Sequence, residues 1–375
     1  MNDMFYMKKA LQLAVKGKLT TDPNPNVGCI IVKDGLIVGK GWHKKQGDSH
    51  AEIIALKMAG DLAHGSTVYL TLEPCNHYGN TPPCCPQLLI SKIKKIVIAT
   101  IDPNPEVSGK GITFLKKNGI LVSYGILEKE AQNINQRFFK RMITGLPWLQ
   151  LKLGISIDGR IALHNGDSKW ITSHESRKDV HNFRSQNQAI LSTSISIIRD
   201  NPSLNIRYIN TNPKNNIKKY QQPIRIIIDS KNRIKPNHPT IKINTGDIWL
   251  IRLYKDNQKW PNHVKQIVSL ESNKQINLLQ LFLLLRKKNI NSIWIEAGGT
   301  LSGALIEQNL IDELILYISP KILGQTAKPM FILQKMFKIN QIKQFYFAQV
   351  NKLHTDIRII LKKNKTYNIS FTQYK

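Results

Sequence analysis

The chain has 375 residues, enough for two domains that each bury a core. Its hydrophobic fraction of 41% is ordinary for a water-soluble protein, and no apolar run reaches the length of a membrane-spanning helix. The net charge of +29 comes from lysines scattered along a chain also rich in asparagine and isoleucine; with no long basic block or RNA-binding module, it reads as compositional drift, and no nucleic-acid partner is expected.

Met1-Asn-Asp-Met-Phe-Tyr-Met-Lys-Lys lacks the shape of a secretory signal, so a cytoplasmic protein is expected. Met4, Met7, Leu11, Ala14 and Val15 recur at helical spacing and predict a helix over 4–16. Strands are expected at 26–33 and 36–42, joined by the hairpin signal Asp34-Gly35. A helix over 51–59, a strand over 67–72, a helix opened by the proline-rich Thr81-Pro-Pro-Cys-Cys-Pro86 and running through Ser91, and a strand over 95–100 follow. A helix at 111–118, a strand at 120–124 and a continuous helix over 127–142 complete the first domain. Gly145-Leu-Pro147 then breaks the chain, which places the boundary between 1–145 and 146–375. Beyond it, strands are expected at 148–155, 188–192, 224–229, 247–252, 292–296 and 313–319, and helices at 175–185, 277–288 and 300–308. The Asn- and Lys-rich stretch 209–222 reads as a surface loop. Both halves are therefore α/β layered domains, different from one another.

All four cysteines, Cys29, Cys75, Cys84 and Cys85, lie in the first quarter, which favours a metal site over a disulfide framework. Cys29, inside Val27-Gly-Cys-Ile-Ile-Val32, reads as core. His50, Cys75 and one of Cys84 or Cys85 supply three zinc ligands and leave a fourth position open, which marks a catalytic rather than a structural zinc. Cys84 is the favoured third ligand, with Cys85 the alternate. Glu52, two residues from His50, is placed to move protons to and from water at that position. His-x-Glu with Pro-Cys and a later cysteine is the signature of zinc nucleobase deaminases, except that eight residues here separate Cys75 from Cys84.

The chain resembles the bifunctional deaminase–reductase family of bacterial riboflavin biosynthesis over nearly its full length. In the first half the resemblance rests on Pro23-Asn-Pro-Asn-Val-Gly28, His50-Ala-Glu52, Thr71-Leu-Glu-Pro-Cys75, Asn76-His-Tyr-Gly-Asn-Thr-Pro-Pro-Cys84 and Asp102-Pro-Asn-Pro105. In the second half it rests on Lys152-Leu-Gly-Ile-Ser-Ile-Asp-Gly-Arg160, Gly166-Asp-Ser-Lys-Trp-Ile-Thr-Ser173, Asp200-Asn-Pro202 and Glu296-Ala-Gly298. It implies an α/β fold in two parts: a cytidine-deaminase-like α/β/α zinc domain, then a dihydrofolate-reductase-like α/β domain. It also implies two consecutive reactions on a phosphorylated pyrimidine, with Zn2+ and NADPH as cofactors, and a homodimer. The first replaces the ring 2-amino group of 2,5-diamino-6-(5-phosphoribosylamino)pyrimidin-4-one by oxygen. The second reduces the ribosyl group to a ribityl chain.

By the same resemblance, Ser168, Arg184, Leu204, Arg207 and Glu296 contact the substrate; guanidinium groups suit a phosphate monoester. Gly154, Trp170, Ser196, Asp200 and Ser230 contact the nucleotide. The turn Gly298, Gly299, Thr300, Leu301, Ser302, Gly303 and Ala304 holds its phosphates. Read without the family, Trp170 is equally a core aromatic, and the glycine-rich turn is equally a site of close helix packing. Gly299 stands where proline is common in the family, which implies a looser turn. Ile195, in a segment that is often smaller, is expected to crowd the nicotinamide pocket. His77 is expected near the substrate and not as a zinc ligand.

Overall fold

The computed structural model describes residues 3–79, 81–208 and 221–363, which divide into two compact units, one running to Leu146 and the other starting at Pro147. Most of the stretch expected as a surface loop, 209–220, lies outside the described residues, as does Asn80.

The first unit contains α1 (Asp3–Ala14), β1 (Gly28–Lys33), β2 (Leu36–Trp42), α2 (Ala51–Ala59), β3 (Thr67–Leu70), α3 (Cys84–Ile90), β4 (Lys95–Ile98), α4 (Lys110–Lys117), β5 (Leu121–Tyr124), α5 (Glu128–Ile134) and α6 (Gln136–Thr144). The sheet order is β2-β1-β3-β4-β5. β1 runs antiparallel to both of its neighbours, whereas β3, β4 and β5 are parallel. Asp34 and Gly35, with φ of 50° and 77°, form the two-residue turn that matches the twist of a hairpin.

Alternation along β1 divides the core between two faces. Cys29 and Ile31 pack with Ala51, Ala55, Leu88 and Leu115 on one side. Ile30 and Val32 pack with Met7, Ala10 and Leu11 on the other. The result is the α/β/α sandwich. A continuous helix over 127–142 does not form. Asn135 breaks it, because its side chain acts as a backbone partner for Asn26, accepting the Asn26 N–H at 2.7 Å and donating to the Asn26 carbonyl at 2.9 Å.

The second unit contains β6 (Trp148–Ser156), β7 (Arg160–Ala162), α7 (His174–Arg184), β8 (Ala189–Thr193), α8 (Ser194–Asp200), β9 (Ile224–Ile228), α9 (Pro239–Lys242), β10 (Ile248–Arg252) and β11 (Val264–Val268). It continues through β12 (Glu271–Ser272), β13 (Gln275–Ile276), α10 (Leu278–Lys287), β14 (Ser292–Glu296), α11 (Gly299–Glu307), β15 (Glu313–Ser319), β16 (Lys328–Pro329), β17 (Phe345–Leu353) and β18 (Asp356–Lys363). Its main sheet has nine strands in the order β11-β10-β9-β8-β14-β6-β15-β18-β17. The strands from β11 through β15 are parallel, and the closing hairpin is antiparallel.

Parallel strands covered on both faces need continuous apolar sequence. Ile293, Trp294 and Ile295 of β14 meet that need, and Phe183 stacks on Trp294 at 5.2 Å between ring centroids. Nine elements of the second unit were not expected from the sequence: β7, α8, α9, β11, β12, β13, β16, β17 and β18. The residues of α8, rich in β-branched side chains, favour a strand locally; the turn is set by Thr193, whose hydroxyl accepts the Ser196 N–H. β11 and β17 are sheet edges, half polar or exposed, so burial leaves little pattern in their sequence.

Candidate active sites

In the first unit, two helix starts carry the zinc-type residues. His50 is the N-cap of α2, and Glu52 sits in its first turn. α2 lies so close to β2 that a Cβ on Gly41 would meet the Ala51 carbonyl at 2.0 Å; glycine there is what admits the helix. α3 opens with Cys84, and the backbone N–H groups of Cys84 and Cys85 both donate to the Cys75 carbonyl, at 3.1 and 3.2 Å. That closure brings a loop cysteine beside a helix cysteine.

His50 Nδ1 lies 3.2 Å from Cys84 Sγ and 3.6 Å from Cys75 Sγ, and the three candidate ligand atoms fall within 4.8 Å of one another. A tetrahedral zinc with ordinary bond lengths separates nitrogen and sulfur ligands by about 3.5 Å, so the residues fit the ion. Cys85 points elsewhere, toward the carbonyls of Pro74 at 3.5 Å and Gly111 at 3.9 Å, and burial pushes its thiol up. Cys29 is a fully buried core residue.

The electrostatics suit a cation. A hydrogen bond from Cys84 brings the Cys75 thiol down to about 4, and the paired sulfur and burial push Cys84 up. The hydrogen bond to Cys75 raises His50. Glu52 is raised by burial, and its Oε2 is buried with no hydrogen-bond partner. A polar atom so placed calls for a ligand.

Two supporting residues were not singled out from the sequence. Thr81 Oγ1 meets His50 Nε2 at 3.2 Å, which leaves Nδ1 to face the sulfurs. Glu73 accepts the N–H groups of Gly109 at 3.0 Å, Ile112 at 3.2 Å and Asp102 at 3.3 Å, so it ties the strand end before Cys75 to the start of α4. Its sign in the sequence was a carboxylate inside the apolar run Thr71-Leu-Glu-Pro. His77 is half-buried, with Nδ1 unpartnered.

In the second unit a cavity of about 1600 Å³ opens beside the C-terminal ends of β8, β9 and β14. Crevices at strand ends are where open parallel sheets bind ligands. Every reductase residue expected from the sequence lines it except Gly299, Ser302 and Gly303. Those three are buried, and the two glycines answer to packing: a Cβ on Gly299 would meet the Pro329 carbonyl at 2.6 Å, and one on Gly303 the Ile332 carbonyl at 2.0 Å. Trp170 is not core; it is 62% exposed, with the Arg177 guanidinium 4.2 Å from its ring centroid. Ile195 stands exposed on the cavity wall.

Arg184 and Glu296 form a fork–fork pair, Nε to Oε1 at 2.7 Å and Nη2 to Oε2 at 2.9 Å, while Nη1 donates to the Asn205 carbonyl at 3.0 Å. Much of the Arg184 guanidinium is thus already engaged. Arg207 has no ion-pair partner among the described residues and is exposed on the same wall. Burial pushes Glu296 up, but the charge and hydrogen bonds of Arg184 outweigh it and hold the carboxyl at about 2. Burial, then Arg184 and Arg207, bring His181 down to about 4, so its imidazole is neutral and Nδ1 accepts the Arg207 N–H at 3.1 Å.

Lys152 was not singled out from the sequence. Its half-buried ammonium lines the cavity 5.8 Å from the centroid of the Tyr317 ring; burial lowers its pKa, and Glu296 opposes that shift. The sequence signal was a lysine inside the apolar strand Trp148–Ser156. Gly154 lies close to the Thr172 side chain, since a Cβ there would stand 3.2 Å from Thr172 Cγ2. The cavity's size, exposed Trp170 and unpaired cations fit a dinucleotide together with a sugar phosphate.

The family described as the cytidine and deoxycytidylate deaminase zinc-binding region matches residues 1–100, and the RibD C-terminal domain matches residues 147–359. The chain is 53% identical over 372 residues to the riboflavin biosynthesis protein RibD of Buchnera aphidicola subsp. Baizongia pistaciae, covering 98% of this chain and 100% of that one. It is 45% identical over 364 residues to RibD of Escherichia coli, covering 95% and 98%. It is similar to the solved structure of Acinetobacter baumannii RibD, with a TM-score of 0.87, 38% identity and coverage of 96% and 99%. A Thermotoga maritima structure matches with a TM-score of 0.82, 30% identity and the same coverage; it is described as a diaminohydroxyphosphoribosylaminopyrimidine deaminase/5-amino-6-(5-phosphoribosylamino)uracil reductase. No helix among the described residues is long and apolar enough to cross a membrane.

Proposed function

The chain belongs to the RibD family of riboflavin biosynthesis proteins, bifunctional deaminase–reductases that use zinc and NADPH, and from that premise we propose how its own residues divide the work. Residues 1–145 deaminate the diaminopyrimidine and residues 146–375 reduce the ribosyl group of the product to ribityl. The observation that carries the first assignment is the trio His50, Cys75 and Cys84 beside the unpartnered Oε2 of Glu52.

His50 Nδ1, Cys75 Sγ and Cys84 Sγ hold the zinc, which supplies Lewis acidity and lowers the pKa of water when bound. Thr81 orients His50. Glu52 Oε2 receives a proton from the attacking water, delivers it to the ring nitrogen beside the carbon under attack, and assists departure of ammonia. Burial raises its pKa, which favours a group that must both take and give a proton.

The reduction requires one hydride at C1′ and one proton at the sugar ring oxygen; NADPH supplies the hydride. We infer that Lys152 gives the proton, and that Glu296, clamped by Arg184, keeps a negative charge beside it. Ser168, Leu204 and Arg207 position the substrate, with Arg207 free to take its phosphate. Gly154, Trp170, Ser196, Asp200, Ser230 and the lining part of the turn, Gly298, Thr300, Leu301 and Ala304, form the cofactor wall.

The chain acts in the cytoplasm on a small molecule and not on nucleic acid; the scattered lysines support this. It forms a homodimer, a reading supported by exposed Tyr346, Phe347 and Val350 on edge strand β17. Sedimentation of the purified chain tests the dimer. The activity test supplies the diaminopyrimidine to that chain, follows ammonia release, then adds NADPH and follows its oxidation. Ammonia without NADPH oxidation removes the second assignment, and no ammonia from zinc-replete protein removes the first.

A further inference from the structure

Resting on the reading of Arg207 as the group that takes the substrate's phosphate, we propose that His181 is the positioning residue for Arg207. Its imidazole fixes the backbone of the Leu204–Arg207 strip so that the guanidinium stands ready on the cavity wall, and it sets substrate affinity rather than the chemical step.

The strip from Leu204 to Arg207 belongs to no helix or strand, and side chains meet its polar backbone. Arg184 Nη1 donates to the Asn205 carbonyl at 3.0 Å. Gln222 brackets Ile206: Oε1 accepts its N–H at 2.8 Å, and Nε2 donates to its carbonyl at 3.1 Å. His181 Nδ1 accepts the Arg207 N–H at 3.1 Å. His181 and Arg184 stand three residues apart in α7, so one helix face carries the strip at two points. Leu204 is buried with a φ of 47°, a conformation that a leucine keeps only where its surroundings impose it.

The His181 imidazole is 4% exposed, and its ring packs edge-on against Tyr208 at 5.3 Å between centroids. Burial and the charges of Arg184 and Arg207 keep it neutral, so Nδ1 retains the lone pair that the Arg207 N–H needs. The Arg207 side chain is exposed at the cavity. Paired hydrogen bonds from a guanidinium to a phosphate are directional, so a shift of the Arg207 backbone weakens them without touching the reacting atoms.

The experiment is steady-state reduction of the deaminated substrate by the zinc-replete full chain, followed by NADPH oxidation, with thermal unfolding of each variant. Arg207→Ala is expected to raise KM for that substrate by about tenfold or more. His181→Ala should raise it by about fivefold to tenfold, with kcat and NADPH affinity within about twofold of wild type. His181→Asn, whose Oδ1 can stand in for Nδ1, should return KM to within about twofold of wild type, whereas His181→Gln should not. In the Arg207→Ala background, His181→Ala should raise KM by less than about twofold more, because nothing is left to position. A full further rise in that background overturns the proposal and makes the imidazole a substrate contact. So does an unchanged KM in His181→Ala, or a fall in kcat without a rise in KM. Should His181→Ala fail to fold, equal KM values for His181→Asn and His181→Gln overturn it, and rescue by Asn alone supports it. Arg207→Ala with a wild-type KM sinks the reading of Arg207 itself, a result distinct from an Arg207-dependent KM with a silent His181.

Discussion

The Arg184 guanidinium lies against the Glu296 carboxylate with two parallel hydrogen bonds, 2.7 and 2.9 Å long, across 112 residues of sequence. The pair is mostly buried, with side chains 9% and 19% exposed. Removing one member of such a pair leaves an uncompensated charge.

Arg184→Ala is therefore expected to destabilise the second unit by about 3 kcal/mol and to abolish reduction while deamination of the first substrate continues. Urea unfolding checks the first effect, and separate assays check the second. Because the folded-state pKa of Glu296 is held at about 2, below its unfolded value, its stabilising contribution is complete above the unfolded value and is lost as pH falls toward 2. The stability difference between wild type and Glu296→Gln should shrink over that acid window. A difference independent of pH would contradict the ion pair.

Glu52→Gln is expected to lower deamination by about 10²–10⁴-fold through loss of the proton carrier. Zinc content should stay near one ion per chain, and reduction of already deaminated substrate should continue. Metal analysis beside the two assays decides it; substantial deamination by the variant would falsify the proton-carrying role.

Cys84→Ser should empty the metal site, whereas Cys85→Ser should keep zinc and lose only modest stability, since Cys85 Sγ faces carbonyls away from the cluster. Thr81→Val should weaken zinc affinity by roughly 10-fold, the usual range for losing a partner of a ligating histidine. Competition with a chelator measures all three, and zinc loss in Cys85→Ser alone would exchange the roles of the two cysteines.

Lys152→Met should cut reduction by about 10²–10⁴-fold without weakening NADPH binding or deamination. Burial lowers the pKa of Lys152, so in the wild type the proton donor is lost with rising pH sooner than an exposed lysine would be. The rate of reduction should accordingly fall on the alkaline side below the ordinary lysine range. An alkaline limb that persists in Lys152→Met would assign the titration to another group.

Gly303→Ala tests the packing of α11. The added Cβ would meet the Ile332 carbonyl at 2.0 Å, and relieving that contact should cost roughly 1–3 kcal/mol. Thermal unfolding measures it; a variant as stable as the wild type would show that the segment at Ile332 yields easily.

Local sequence was sufficient for the zinc chemistry. His50 and Glu52 at one helix start, and Cys75 and Cys84 around another, are readable because ligand type and spacing are properties of short segments. The parallel strands were readable for the same reason: Ile293-Trp-Ile295 is apolar on both faces and needs cover on both. What only the tertiary structure decided depends on distant partners. Cys84 rather than Cys85 faces His50 because the Cys75 carbonyl collects both α3 N–H groups. Asn135 splits a helix because Asn26 is beside it. Gly303 serves packing against Ile332 rather than the cavity. Lys152 acquires its altered acidity from burial, against the opposing charge of Glu296. Burial and long-range hydrogen bonds set the strength of a charge, and neither is encoded in the identity of the residue that carries it.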